Sequence, residues 1–348
     1  MFKPKFKITN EINKNLMEIE RVRGFLEATK LKQDWISEMQ NELLILETHY
    51  STHIEGTQLT LEQATKILTG KKVTGIRTDD KKELLNYKKA LGYVSTYLGK
   101  EEIVTEELIK EIHKILVSEV RGNPADPGNY RRIQNYVVNS LTGEVIYTPP
   151  SPEEVPSLMK EFIEWLKYSI EATDISPIII AGIAQYQFVH IHPFLDGNGR
   201  SARVLSTLIL YKTGYDFKKL FTLSEFYDKN RPEYYKAIQS VREHKMDMTQ
   251  WLEYFTEGLK HQMADIKKRG VKAIKKDVVE GKIKKHGLSE RQAKALRYLI
   301  EEEYISRAKY VELYKVSLRT ANYDLSILEK LKLIKREGIG RAIKYRLT

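Results

Sequence analysis

The stretch HPFLDGNGRSAR, His192 to Arg203, places a histidine, a carboxylate, two glycines around an asparagine, and two arginines within twelve residues. The apolar run before it, Ile178 to Val189, and the run after it, with Val204, Leu205, Leu208 and Ile209 at helical spacing, both read as buried helix. The motif is therefore a turn between two packed helices. Gly197 and Gly199 are expected to let the backbone approach a ligand closely and to adopt turn dihedrals closed to other residues. A helix starting near Asn198 points unpaired N–H groups and its positive dipole end into the turn, which makes a phosphate site. Arg200 and Arg203 are three apart, so they are expected to share a helix face and to reach two further phosphates of one polyphosphate. A triphosphate is the occupant this arrangement suits.

These residues resemble the signature of the Fic family, His-x-Phe-x-Asp/Glu-Gly-Asn-Gly-Arg-x-x-Arg, and match it at every position. The family's usual reaction is transfer of AMP from ATP to a protein hydroxyl. The resemblance implies that His192 is the base that deprotonates a Ser, Thr or Tyr hydroxyl, and that Asp196 ligates a Mg²⁺ bridging the phosphates. It makes Phe194 the anchor of the nucleotide-binding loop. Asn198 and the N–H groups around Gly197 to Gly199 would hold the α-phosphate, Arg200 the β-phosphate and Arg203 the γ-phosphate. Relatives that use other phosphate-containing donors place a lysine where Gly199 stands or depart elsewhere in the motif, so the intact Gly199 speaks against kinase-like chemistry. Elementary chemistry agrees with these roles. An unperturbed imidazole titrates near ~6.5, so most of His192 is neutral and able to accept a proton at neutral pH. A hard cation suits one carboxylate plus substrate phosphates. The neighbouring His190 has no second His, Cys or carboxylate at zinc-like spacing and reads as structural.

Composition frames the motif. The chain has 348 residues, 41% of them hydrophobic, and a mean hydropathy of −0.46, which describes an ordinary soluble protein with room for two or three domains. No apolar run approaches the ~20 residues that span a bilayer, and MFKPKFKITN at the start lacks the apolar stretch of a signal peptide. A cytoplasmic protein without membrane partners is expected. With no cysteine, disulfides and thiol catalysis are excluded.

The net charge of +11 is unevenly placed. Residues 267–348 hold 23 Lys and Arg against 10 Asp and Glu, whereas residues 1–266 hold 35 against 37. The basic stretch KKRGVKAIKKDVVEGKIKKHG reads as a helical or frayed connector. Beyond it, Leu288 to Glu303 reads as a helix capped by Ser289, a shorter helix carries Tyr310, Leu313 and Tyr314, and Ser317 caps a third over Thr320 to Leu333. IKREGIGRAIKYRL closes with two alternating strands around Gly338 and Gly340. Three helices and a hairpin resemble the winged helix-turn-helix family. Arg319 and Asn322 would face a groove, with Lys335, Arg336 and Arg341 near the phosphates. Such modules also dock proteins or dimerise, so DNA, a protein partner and a homodimer all stay open.

Toward the N-terminus, a long amphipathic helix from about Ile36 to Tyr50 runs into STHIEGTQLTLEQATKIL, with the next helix starting at Thr57 to Thr60. Ser51, Glu55 and Gly56 fit Ser/Thr-x-x-x-Glu-Gly/Asn, which resembles the inhibitory motif of autoinhibited Fic proteins. That resemblance implies that Glu55 pairs with Arg203 and keeps the γ-phosphate from binding productively. A glutamate that positions a water to remove AMP looks the same in sequence, and a surface glutamate before a helix-stopping glycine is the plainest alternative.

Between these regions, Tyr136 to Val138 and Glu144 to Tyr147 read as strands joined by Asn139 to Gly143, and the hairpin resembles the Fic flap. Its residues Tyr136, Val137, Val138, Ile146 and Tyr147 would add a strand from an extended target segment and bring its hydroxyl to His192. Downstream, Tyr234 and Tyr235 sit where the family places aromatic contacts to adenine, Tyr235 being favoured.

The sequence thus predicts a mostly α-helical protein with a Fic-type core, a β-hairpin flap and a C-terminal winged helix. Its expected divisions are an N-terminal helical region over 1–104, a catalytic core over 105–264, a basic connector over 265–286 and the winged module over 287–348. The expected function is Mg²⁺-dependent AMP transfer from ATP to hydroxyls of a target protein and of the chain itself. The alternatives are an enzyme that removes AMP or does both, and a DNA-binding regulator that senses nucleotide.

Overall fold

The computed structural model describes residues 2–97, 104–120, 125–138, 142–172 and 174–348, and of Arg341 the backbone alone. The chain divides into two compact units, Met1–Ile266 and Lys267–Thr348.

In the first unit, Thr9 accepts a hydrogen bond from Ile12 N and starts α1 (Asn10–Ala28). It is followed by α2 (Gln33–Ile54), α3 (Leu61–Leu68), α4 (Thr78–Tyr97) and α5 (Glu106–Val117). A short hairpin of β1 (Val137–Val138) and β2 (Val145–Tyr147) leads into α6 (Val155–Ala172), α7 (Pro177–Ile191), α8 (Asn198–Lys212), α9 (Leu223–Lys229) and α10 (Arg231–Glu243). The start of α11 (Thr249–His286) closes the unit.

The centre of this unit is α7. Every residue from Ile178 to Phe188 is buried, as an all-round apolar helix requires, and α8 packs along it. Gly182 is there for closeness. A Cβ on it would come within 2.9 Å of Leu252 and 3.0 Å of Phe255, and Trp251 Nε1 donates to the Gly182 carbonyl at 2.8 Å. The stretch α2 packs against α4, α8 and α9, and its buried Glu47 accepts hydrogen bonds from Tyr87, Thr222 and Ser224. A satellite core of Leu59, Ala64, Ile67, Leu68 and Leu84 sits under α3.

Boundaries differ from the sequence reading where caps decide them. The helix expected to end near Tyr50 continues to Ile54, which takes Ser51 into the helix and leaves Glu55 as its C-cap. The next helix starts at Leu61 because Thr60 and Gln63 form a capping box, and Thr57 to Thr60 precede it.

In the second unit the residues read as a connector are the end of helix α11, whose Val279 and Ile283 belong to that unit's own core. Its remaining elements are α12 (Glu290–Glu301), β3 (Ile305–Ser306), α13 (Arg307–Tyr314), α14 (Leu318–Lys330), β4 (Ile334–Glu337) and β5 (Lys344–Leu347). Ser289 and Gln292 form a capping box at α12, and Ser317 caps α14. The strands pair antiparallel in the order β3-β5-β4, with Ile305 opposite Tyr345 and Ile334 opposite Leu347. Strand β3 was not foreseen, because two residues carry no period. Gly338 takes a left-handed φ of 89°, and a Cβ there would meet the Ala342 carbonyl at 2.6 Å.

Candidate active site

His192 ends α7 in a left-handed conformation, φ 52° and ψ 55°, with its N–H donating to the Phe188 carbonyl at 3.0 Å. Its Nδ1 lies 3.1 Å from the Val189 carbonyl. A carbonyl only accepts, so in the neutral ring the proton sits on Nδ1 and the lone pair on Nε2. Burial pushes the imidazole pKa below its ordinary value; Arg131 adds to this, while the Val189 carbonyl, Glu55 and Asp196 oppose it. The net direction favours a neutral ring, which is the form a base needs.

The turn after His192 is held from inside. Asn198 Oδ1 accepts from Phe194 N at 2.9 Å and its Nδ2 donates to the Phe194 carbonyl at 2.8 Å. The Asn198 side chain is thus committed to the loop, and what it offers a phosphate is its backbone N–H. Phe194 is fully buried and stacks on His113 with centroids 3.6 Å apart, so it anchors the loop and does not face a nucleotide. His113 Nε2 donates to the Asp196 carbonyl at 3.0 Å and its Nδ1 accepts from Gly128 N. Burial brings this histidine down to about 4.

Gly197 takes φ +77°, and α8 begins directly after it. The first helical bond runs from Ser201 N to the Gly197 carbonyl, so the N–H groups of Asn198, Gly199 and Arg200 precede it and point out of the helix start. Gly199 is helical, contrary to the expectation of special turn dihedrals. Its need is space: an added Cβ would lie 2.3 Å from Glu55 Oε1. The Glu55 carboxylate therefore lies over the first turn of α8, where an anion would bind.

The two arginines diverge. Arg200 pairs with the buried Glu83 of α4 at 3.0 Å, and its other Nη leans toward Asp196 at 3.3 Å. Arg203 turns to α2: its Nε donates to Ser51 Oγ at 2.7 Å, and one Nη reaches both the Ser51 carbonyl and Glu55 Oε1 at 2.8 Å. Burial alone would lower its pKa, but Glu55 beside it more than compensates and the net direction is upward. The two residues leave one face of α8, as their spacing predicts, but each buried guanidinium is drawn to a separate acid. Gly56, with φ +101°, ends the α2 turn beyond Glu55.

Asp196 has a side chain 44% exposed, with Oδ1 accepting from Gly197 N at 2.6 Å. It is a hard oxygen donor at the mouth of the turn. Among the described residues no group of three metal-ligating side chains comes together, so a Mg²⁺ held here would take its remaining ligands from phosphates and water.

Tyr234 is buried and stacks on Tyr227 at 4.5 Å, which takes it out of reach of a base. Tyr235 is 46% exposed and stays available. On the flap, Val137 pairs with Tyr147 and Val138 with Val145, and Tyr136, Val138 and Ile146 are exposed. Residues 139–141 of the connecting turn lie outside the described residues. Tyr147 faces inward: its hydroxyl meets His190 Nδ1 and the His190 carbonyl at 2.8 Å, and Arg242 covers its ring at 4.1 Å. It fastens the flap to α7 and is not free to contact a target, while His190, lowered to about 4 by burial, is structural as expected. In the second unit Arg319, Asn322 and Arg336 are exposed, Lys335 pairs with Glu337 at 2.9 Å, and the Arg341 side chain lies outside the described residues.

Sequence reasoning missed Glu83, His113, Arg131 and Asn135, each isolated in the chain and brought to the loop by the fold. The one available signal was Arg131, the first of the paired arginines in the GNYRR run that precedes the flap.

Fold and site together define a helical protein built around a histidine-bearing turn that opens onto a helix start. Residues 103–210 match the family model described as the Fic/DOC family, so this part of the chain is a Fic/DOC domain. It is 31% identical over 203 residues to the protein adenylyltransferase Fic of Drosophila grimshawi, covering 58% of this chain and 40% of that one. The homologue from Drosophila willistoni is 32% identical over the same length, covering 58% and 39%. The chain thus spans about two fifths of the length of these relatives. Among solved structures, a Fic family protein from Desulfovibrio desulfuricans G20 aligns over 100% of this chain and 98% of its own, with a TM-score of 0.62 at 23% identity. Fic-1 from C. elegans aligns over 76% and 73%, with a TM-score of 0.61 at 26% identity. Among the described residues no helix is long and apolar enough to cross a membrane.

Proposed function

We propose that this chain is a protein adenylyltransferase that moves AMP from ATP to a hydroxyl of a target protein and of itself, and that Glu55 holds it back. The observation that carries the reading is the Glu55 carboxylate lying over the first turn of α8 and paired with Arg203. A carboxylate there competes with phosphate for the same helix start and the same cation.

In this reading His192 Nε2 takes the proton of the incoming hydroxyl as its oxygen bonds to the α-phosphorus of ATP, the bond between the α- and β-phosphates breaks, and pyrophosphate leaves. The outward N–H groups of residues 198–200 hold a phosphate of ATP, and Arg203 receives another once Glu55 withdraws. Arg200, fixed by Glu83, orients Asp196. A Mg²⁺ bound at Asp196 would neutralise phosphate charge. The exposed edge of the flap would lay the target segment beside His192, and Tyr235 would stack on the base.

The D. grimshawi relative's name, protein adenylyltransferase Fic, supports the same activity. Incubating the purified protein with labelled ATP, Mg²⁺ and its native lysate, followed by intact-mass analysis, tests the reading. AMP adducts support it. Loss of AMP from a pre-modified target instead assigns Glu55 to water positioning and the chain to AMP removal.

We read residues 267–348 as a winged helix-turn-helix module, on the strength of three helices closed by a three-stranded sheet. Its surplus of basic residues suits DNA. Duplex binding by the full chain tests this, and binding that ignores salt points to a protein partner.

A further inference from the structure

The segment between α5 and the flap makes a bracket around the catalytic turn. Arg131 is 2% exposed. Its Nε donates to the His192 carbonyl at 2.9 Å, its backbone N–H to the Pro193 carbonyl at 2.9 Å, and Asn135 Nδ2 to the Phe194 carbonyl at 2.9 Å. Three consecutive carbonyls of the turn are thus held by residues 131–135. The same segment grips the far leg of the flap, with Arg131 Nη2 donating to the Pro150 carbonyl and Gln134 Nε2 to the Pro149 carbonyl at 3.0 Å.

We propose that Arg131 is a positioning residue of the reaction, locking the catalytic histidine and both legs of the flap into one frame so that a hydroxyl delivered along the flap arrives at His192 Nε2. The proposal rests on reading His192 as the general base. Two physical arguments support it. His192 sits at φ 52°, a conformation few non-glycine residues adopt and one that persists only when neighbours over-determine it; Arg131 supplies two of the bonds that do so. A planar guanidinium also has spread donors in a fixed fork, so one side chain can hold carbonyls on two separate loops in one geometry, which the rotating point-like ammonium of a lysine does not fix. The charge acts in the same sense. The groups that bear on the imidazole are Glu55 from α2, Asp196 from the turn and Arg131, and of these Arg131 is the one that opposes its protonation.

The test uses the full chain carrying Arg131→Lys or Arg131→Met, with three readouts: AMP transfer kinetics, ATP binding, and nitrogen NMR of the His192 ring, assigned by its loss in a His192→Gln variant. Thermal melting checks that each variant folds. Loss of the fork lets the base shift on the scale of an ångström, for which kcat should fall roughly 10- to 100-fold while ATP affinity stays within about twofold. The Nδ1-protonated tautomer of His192 should weaken in both variants. The ring should titrate at higher pH in Arg131→Met and close to the unmodified protein in Arg131→Lys, which keeps the charge. Unchanged tautomer and titration in both folded variants overturn the proposal, as does a fall in kcat matched by an equal loss of ATP binding. If the unmodified protein makes no AMP adduct, the adenylyltransferase reading fails by itself, and the NMR readouts still decide the role of Arg131.

Discussion

The two units handle charge in opposite ways. Residues 1–266 carry nearly equal numbers of cations and anions, and the decisive ones are paired around one turn, the buried Arg200 with the buried Glu83 and the buried Arg203 with the half-buried Glu55. Residues 267–348 carry a surplus of thirteen cations, and Arg319, Lys335 and Arg336 among them lie on the surface. Inside, a charge matters by position, because removing one partner strands the other in a poorly solvated site. Outside, charges act by number and are screened by salt. Single substitutions should therefore dominate in the first unit and ionic strength in the second.

The largest effect should come from His192→Ala. AMP transfer is expected to fall by ~10²–10⁴-fold, as for loss of a general base, with ATP binding nearly intact because the ring is no part of the helix start. Adduct mass and calorimetry measure the two, and near-normal transfer would remove His192 from its role. Next in size, Glu55→Gly should raise transfer by roughly 5- to 150-fold, the range for releasing a restraint of ~1–3 kcal/mol. Arg203→Ala should not reproduce the gain, since it removes the phosphate's partner along with the inhibitor's. Equal responses from the two variants would contradict the pairing.

For the second unit, a module touching about three or four phosphates should lose roughly 10- to 100-fold in duplex affinity between 50 and 200 mM salt. A flat salt response would mean that the surplus serves protein docking. Ending the chain after Ile266 should change AMP transfer by no more than about twofold, because every motif residue lies upstream. A larger loss, measured on a truncated protein of unchanged melting behaviour, would show that the two ways of using charge are coupled.

The last effect is on stability and not on transfer. Burial holds His49, His113 and His190 at about 4 in the folded first unit, below the ~6.5 of an unfolded chain. Between these values the unfolded state binds more protons, so stability rises with pH and is lost as pH falls from about 6.5 toward 4. Melting temperatures across that window should drop with acid for the isolated first unit. A flat profile would show that these rings are not held neutral.

Much of the fold was legible because the motif sits between two strongly apolar runs, and α7 and α8 follow from that alone. Ser51, Glu55 and Arg203 were legible as a set through resemblance, and the fold brings them together at hydrogen-bond distance. What escaped was long-range. Nothing local marks Glu83 as the acid that captures Arg200, so the different partners of the two arginines rest on a contact 117 residues apart. Tyr147 was misassigned for a related reason: alternation predicts a strand but not that its hydroxyl turns inward to His190. The connector was read as helical or frayed, and it is helical; its packing was not legible, because apolar residues as few as Val279 and Ile283 show no partner in sequence.

Glu47 and Ser51 stand one helical turn apart on α2 with Glu55 a turn further at its C-cap; Glu47 is bound to α4 and α9 and Ser51 to Arg203 of α8. The helix is thereby a fixed strut and Glu55 its free end. Withdrawal of the carboxylate then requires a side-chain rotation and no departure of the helix. Rotations of that kind take nanoseconds when exposed and remain far faster than a turnover of ~1–10³ s⁻¹. On the proposed reading the restraint keeps no history: a progress curve begun by adding ATP should start at its steady slope, with neither lag nor burst.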